Sequence, residues 1–219
     1  MFVHSAENQS WLRARWQALV TPLSSDRSAA DAAWDALARH YSEPQRAYHN
    51  LSHVMALLRH ADAERASIHR PDIVEFAIWF HDAIYDTHAH DNEQRSAAWA
   101  RRALLGMGVD PHIIDAVSRC ILATRQHEVS ALDVVDLPLF LDLDLAILGA
   151  HEQTYRQYSN AIRAEYDWVP GTAYREGRTR ILKRFLERPT LFFTPALAAR
   201  YEMQARRNIE RELQELSSS

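Results

Sequence analysis

Three short stretches of the chain concentrate side chains that could do chemistry. Tyr48-His49-Asn50-Leu51-Ser52-His53 places two imidazoles four residues apart. The run from Phe76 to Tyr85 is otherwise apolar but carries an adjacent imidazole and carboxylate, His81 and Asp82. Leu141-Asp142-Leu143-Asp144-Leu145 sets two acids among leucines. Taking a charge or an unpaired polar group out of water costs several kcal/mol unless a partner or a metal compensates. Three such stretches in one chain point to a shared compensating partner, a divalent metal ion. Mixed nitrogen and oxygen donors suit Mn²⁺, Fe²⁺, Zn²⁺ or Co²⁺ better than Ca²⁺ or a thiolate-selected metal.

Helical spacing sharpens this reading. If a helix already runs through His49 and His53, they share a face. His81 and Asp82 lie about 100° apart on a helix, close enough to approach one ion, whereas Asp142 and Asp144 lie about 200° apart. Only one of that last pair can be a ligand, leaving the other to cap a helix or orient a histidine. Four ligands leave coordination positions open for water and a substrate oxygen, which makes a nucleophile available at neutral pH.

The order His53, His81-Asp82, late Asp resembles the HD metal-dependent phosphohydrolase superfamily. That resemblance implies His53, His81, Asp82 and Asp144 as metal ligands, with Asp144 preferred over Asp142 because Leu145-Ala146 follows it. It implies a divalent ion (Mn, Fe, Zn, Co or Mg) and a small phosphorylated molecule, such as a nucleotide, as substrate. The segment from Tyr48 to His53 is also similar to the YHNxxH motif of class I cyclic-nucleotide phosphodiesterases, where the first histidine is a general acid. Carried over, His49 would protonate the leaving oxygen. The blocks YHNxxH, FHDxxYD, DNExxSA and LDxDLxILG together resemble a bacterial group of predicted HD phosphohydrolases, over residues 44–187. The chain departs from the phosphodiesterases after the dyad: Ala83-Ile84-Tyr85-Asp86 replaces their HDxxHxG continuation. Their purine-binding glutamine region has no counterpart, so cyclic-nucleotide specificity is not expected.

Further residues join the candidate site. Asp86 and Glu93 could orient or deprotonate the attacking water; for Glu93 the alternative is a first-turn acid favoured by the helix dipole. Arg46 and His127 are candidate substrate contacts, and Arg163 and Arg178 either meet a phosphate or pair with Glu165 and Glu176. His88 and His90 read as exposed loop residues. Two other functions stay open: an HD-type di-iron oxygenase, which would need two further ligands, and a non-catalytic domain that binds metal or ligand without turnover.

The elements that must position these groups are predicted to be helices. Apolar stripes run through Trp11, Leu12, Trp16 and Leu19, and through Ala30, Ala33, Trp34, Leu37, Ala38 and Tyr41. A third helix is expected over 51–67, and a fourth after Pro71 carrying Ile73, Phe76, Ala77 and Phe80. Residues 87–92 read as a loop. Helices then follow over 93–107, stopping at Gly106 or Gly108, and from Asp110-Pro111. Others are expected at 137–149, 151–167, 172–187 and after Thr194-Pro195. The tryptophans at 11, 16, 34, 79, 99 and 168 read as core or interface anchors.

Composition agrees with this pattern. In 219 residues there are only 5 glycines, and the hydrophobic fraction is 47%. The expected fold is therefore all-α, one domain spanning 1–219; the resemblance implies a helical bundle of the HD type, with terminal helices packed on a core at about 44–187. A net charge of −4 gives no basic field for nucleic acid. The single Cys120 excludes an intramolecular disulfide. The first residues show no signal-peptide pattern, and the apolar runs are too short to cross a bilayer. A cytoplasmic protein with no membrane partner is expected, and a homo-oligomer is compatible with it.

Overall fold

The computed structural model describes residues 5–129 and 134–218. Among them there is no β-strand; the fold is all-α. The helices are α1 (Ala6–Val20), α2 (Arg27–His40), α3 (Leu51–Ala63), α4 (Pro71–Phe80), α5 (Asn92–Gly106), α6 (Pro111–Ala123), α7 (Leu137–Leu145), α8 (Glu152–Glu165), α9 (Gly171–Leu186) and α10 (Pro195–Ser218). None of them is long and apolar enough to cross a membrane. Two compact units emerge, Met1–Phe140 and Leu141–Ser219, and each is described by itself.

The first unit is built around α4. Pro71 opens it at a position where a missing N–H is harmless, and the Asp136 carboxylate accepts from the backbone N–H groups of His69 and Arg70 just before it. Phe76, Ala77, Ile78, Trp79 and Phe80 are all fully buried, so α4 is apolar around its whole circumference. Each large side chain buried in this way contributes about 1.5–3 kcal/mol relative to exposure. Trp79 meets Trp16 and Trp34 edge to face, at ring separations of 5.7 and 5.9 Å. The one acid on this helix that is buried, Glu75, is gripped by Arg15 from α1 and Arg65.

Two boundaries differ from expectation in ways that matter for the site. The helix begun at Leu51 ends at Ala63, followed by a short 3-10 turn at Arg65–Ser67. More importantly, α4 stops at Phe80. His81 is its C-cap, with its N–H still bonded to the Ala77 carbonyl, and Asp82 lies beyond the helix. The dyad is therefore a helix end, not a pair of residues within one. Gly108, at φ +72°, settles the choice of stop for α5: a Cβ there would lie 2.1 Å from the Ser25 hydroxyl.

In the second unit, the expected helix at 137–149 is α7 followed by a 3-10 turn at Ala146–Gly149. Here α10 lies directly on that turn. A Cβ on Gly149 would come within 3 Å of the Tyr201 backbone. Asn208 of α10 donates to the Leu148 and Ala150 carbonyls, both at 2.8 Å. Farther along, Arg178 of α9 and Tyr155 of α8 both donate to the buried Glu212 carboxylate of α10.

Candidate metal and catalytic site

The site is assembled from two chain segments of the first unit. The residue that starts α3 is Asn50, whose Oδ1 accepts from the Ser52 N–H at 2.8 Å while its amide donates to the Arg46 and Ala47 carbonyls. This cap fixes His53 in the first turn of α3 and leaves His49 just outside the helix. His49 and His53 thus do not share a helix face, yet their rings lie 5.8 Å apart because the cap turns the loop back. The second segment is the end of α4, where His81 and Asp82 sit.

Three ligand atoms converge between these segments. His53 Nε2 lies 3.0 Å from His81 Nε2, His81 Nε2 lies 3.0 Å from Asp82 Oδ2, and His53 Nε2 lies 3.7 Å from Asp82 Oδ2. The His81 Nδ1 is 3.0 Å from the Ile78 carbonyl. A carbonyl only accepts, so Nδ1 carries the hydrogen, and in the neutral ring Nε2 is then the nitrogen free to ligate a metal. A cation among the three atoms fits that arrangement. A proton bridges one pair, whereas one metal ion takes all three. Ligand atoms about 2.1 Å from a common ion are ~3.0 Å apart at right angles and ~3.4 Å apart at the tetrahedral angle. The observed separations bracket those values, and the donor set is one that divalent metals accept. His49 Nε2 stands 4.0 Å from Asp82 Oδ2 as an outer neighbour.

Arg46 holds the two segments together. Its side chain has no solvent exposure. It donates to the His49 carbonyl at 3.0 Å, the Asp82 carbonyl at 2.6 Å, the Ala83 carbonyl at 3.0 Å and Glu43 at 3.0 Å. Read from the sequence as a substrate contact, Arg46 is committed instead to the backbone on both sides of the cluster. A planar fork of donors can bracket several carbonyls in this way; a lysine cannot.

The chain leaving the dyad is held by α5. The Ser96 hydroxyl accepts from the Ile84 N–H at 3.0 Å and donates to the Ile84 carbonyl at 3.2 Å. Asn92 does the same for Asp86, accepting at 3.0 Å and donating at 2.8 Å. Residues four apart on a helix thus clamp residues two apart on an extended segment. The DNExxSA block carries this signal in its spacing, but nothing in the sequence names its partners. Tyr85, between the clamped residues, stacks on His49 with a ring separation of 4.2 Å. Neither Tyr85 nor these clamps were among the residues expected from the sequence.

The remaining candidates fall as follows. Asp86 is exposed, and its carboxylate accepts from the His88 N–H in a local turn. Glu93 is half-buried in the first turn of α5, and His88 and His90 are exposed. His127 adopts a left-handed backbone at φ 49°, its N–H closing the C-terminus of α6 on the Ala123 carbonyl. In the second unit, Asp142 accepts from the Phe193 N–H, the Thr194 N–H and the Thr194 hydroxyl at 2.6–2.7 Å, securing the entry to α10. Burial holds its carboxyl above the usual range despite those donors. Asp144 is half-buried in α7. Arg163 donates to the Tyr166 and Val169 carbonyls beyond α8, and Arg178 pairs with Glu212, not with Glu176.

Comparison of the chain with known protein families, with curated proteins and with solved structures finds no match.

Proposed function

We propose that this protein is a metal-dependent phosphohydrolase acting on a small phosphorylated molecule, such as a nucleotide. The observation that carries this reading is the meeting of His53 Nε2, His81 Nε2 and Asp82 Oδ2 at 3.0–3.7 Å, with His81 Nδ1 held on the Ile78 carbonyl. A divalent ion held there would polarise a phosphoryl oxygen and lower the pKa of a water. His49 is the proton donor of the reading: its side chain is 18% exposed, so a substrate can reach it, and its Nε2 faces the Asp82 carboxylate. Arg46 fixes the carbonyls of His49 and Asp82 in one frame, and so sets the distance between the acid and the ligand cluster. The resemblance to HD phosphohydrolases supports the same assignment.

The test is elemental analysis of the purified protein coupled to a phosphomonoester, phosphodiester and nucleotide panel. One divalent ion per chain with hydrolysis of at least one panel member is expected. Two irons per chain would favour the oxygenase reading, and tight metal binding with no hydrolysis across the panel would favour a binding domain.

A further inference from the structure

His49 is joined to its helix only through a loop, and the torsion that aims an imidazole is broad. A general acid needs a defined direction, so something outside its own backbone must fix the ring. Tyr85 meets that need. Its ring lies 4.2 Å from the His49 ring at an interplanar angle of 29°, face against face. The Arg46 guanidinium sits 5.5 Å from the Tyr85 ring while donating to the His49 carbonyl. Tyr48 closes on His49 from another side, edge-on at 5.0 Å. Tyr85 itself has little freedom, because Ser96 clamps both backbone groups of Ile84 and Asn92 clamps both of Asp86.

We propose that Tyr85 is a positioning residue for His49, its ring covering one imidazole face and holding Nε2 toward the Asp82 carboxylate. The role rests on the phosphohydrolase reading. In the step it serves, the oxygen of water forms a new bond to phosphorus while the bond from phosphorus to the leaving oxygen breaks. That leaving oxygen takes the proton from His49, and the proton shed by water passes to solvent, from which His49 is recharged. Misdirecting His49 therefore matters most when the leaving oxygen is strongly basic.

The experiment compares wild type, Tyr85→Phe, Tyr85→Leu and Ser96→Ala, each loaded with Mn²⁺, on p-nitrophenyl phosphate and phenyl phosphate. Tyr85→Leu should lower kcat on phenyl phosphate by about 10²-fold, with a much smaller loss on p-nitrophenyl phosphate and unchanged Mn²⁺ content. Tyr85→Phe keeps the ring and should stay near wild type. Ser96→Ala, which loosens the clamp without touching the ring, should show the Leu pattern in weaker form. A purely structural role would lower both substrates alike. Independently of turnover, the His49 ring protons in the metal-free protein should show an upfield ring-current shift that is lost in Tyr85→Leu and kept in Tyr85→Phe. His49 resonances unchanged in Tyr85→Leu, or equal losses on the two substrates, would overturn the role of Tyr85 and leave the hydrolase reading standing. Wild-type protein with Mn²⁺ bound that hydrolyses neither of these nor any phosphodiester or nucleotide of the panel would overturn both.

Discussion

Two carboxylates, one in each unit, sit in opposite chemical company. Glu212 receives hydrogen bonds from Arg178 at 2.8 and 3.2 Å and from the Tyr155 hydroxyl, so every partner is a donor. Asp82 faces imidazole nitrogens, the nearest of them His81 Nε2 at 3.0 Å, in a group of atoms that can all ligate a metal. Buried polar groups that serve stability form closed sets of donors and acceptors. The set around Glu212 is closed by the protein alone. The set around Asp82 is made of atoms that a single cation can share. That difference separates a structural ion pair from a binding site, although sequence alone shows an acid near basic residues in both places.

The largest effect expected is from Asp82→Ala, which should abolish both metal content and turnover. Mn²⁺ should stabilise the wild type, by about 2.7 kcal/mol at a hundredfold excess over its Kd, and leave the variant unmoved. Full activity in a metal-free Asp82→Ala protein would sink the hydrolase reading. Arg178→Met should do the reverse. It strands a buried carboxylate and should cost about 3–5 kcal/mol in chemical denaturation, with Mn²⁺ uptake per folded chain unchanged. Loss of metal binding in that variant would break the comparison.

How far the sequence could be read follows the same division. Helices were legible because their signals are local: Pro71 opens α4, Asp110 caps α6, Gly108 stops α5 and apolar stripes repeat at helical spacing. The residue types that meet at the cluster were legible as well, since an imidazole and a carboxylate in an apolar run are out of place. Long-range commitments were not. Arg46 looked like a phosphate contact because nothing in the sequence shows three carbonyls from 36 and 37 residues away, and from its own loop, closing on it. Arg178 finds Glu212 at a separation of 34 residues, past the nearer Glu176. The end of α4 at Phe80 was hidden too, since Ala83-Ile84 continues the apolar pattern after the helix has stopped.

Arg46→Lys probes the frame without touching a ligand. Lysine keeps the charge but cannot bracket the carbonyls of His49, Asp82 and Ala83 together. Mn²⁺ affinity should fall by about 10–100-fold, the range typical of residues that orient metal ligands, while the Arg178–Glu212 pair is undisturbed. Calorimetric titration of the folded variant measures it. Wild-type affinity in Arg46→Lys would mean that His53 and the dyad hold their spacing without the bracket.

The smallest effect expected is one of pH, and it belongs to the closed set. Burial raises the Glu212 carboxyl, but the hydrogen bond and charge of Arg178, with help from Tyr155, bring it below the ordinary value of 4.5. A carboxyl whose folded pKa is depressed contributes stability that is fully present above its unfolded pKa and is lost as pH falls through the folded one. Glu212→Gln removes that dependence while keeping the shape and one acceptor, so it should cost less than Arg178→Met at neutral pH. The stability gap between wild type and Glu212→Gln should hold steady from neutral pH down to about 4.5 and narrow below it, because the remaining titrating groups are common to both proteins and cancel. Denaturant titrations of the two proteins at matched pH give the gap directly. A gap that widens on acidification would mean that Glu212 holds a proton in the folded protein more tightly than in the unfolded chain, and that its set is not closed by Arg178.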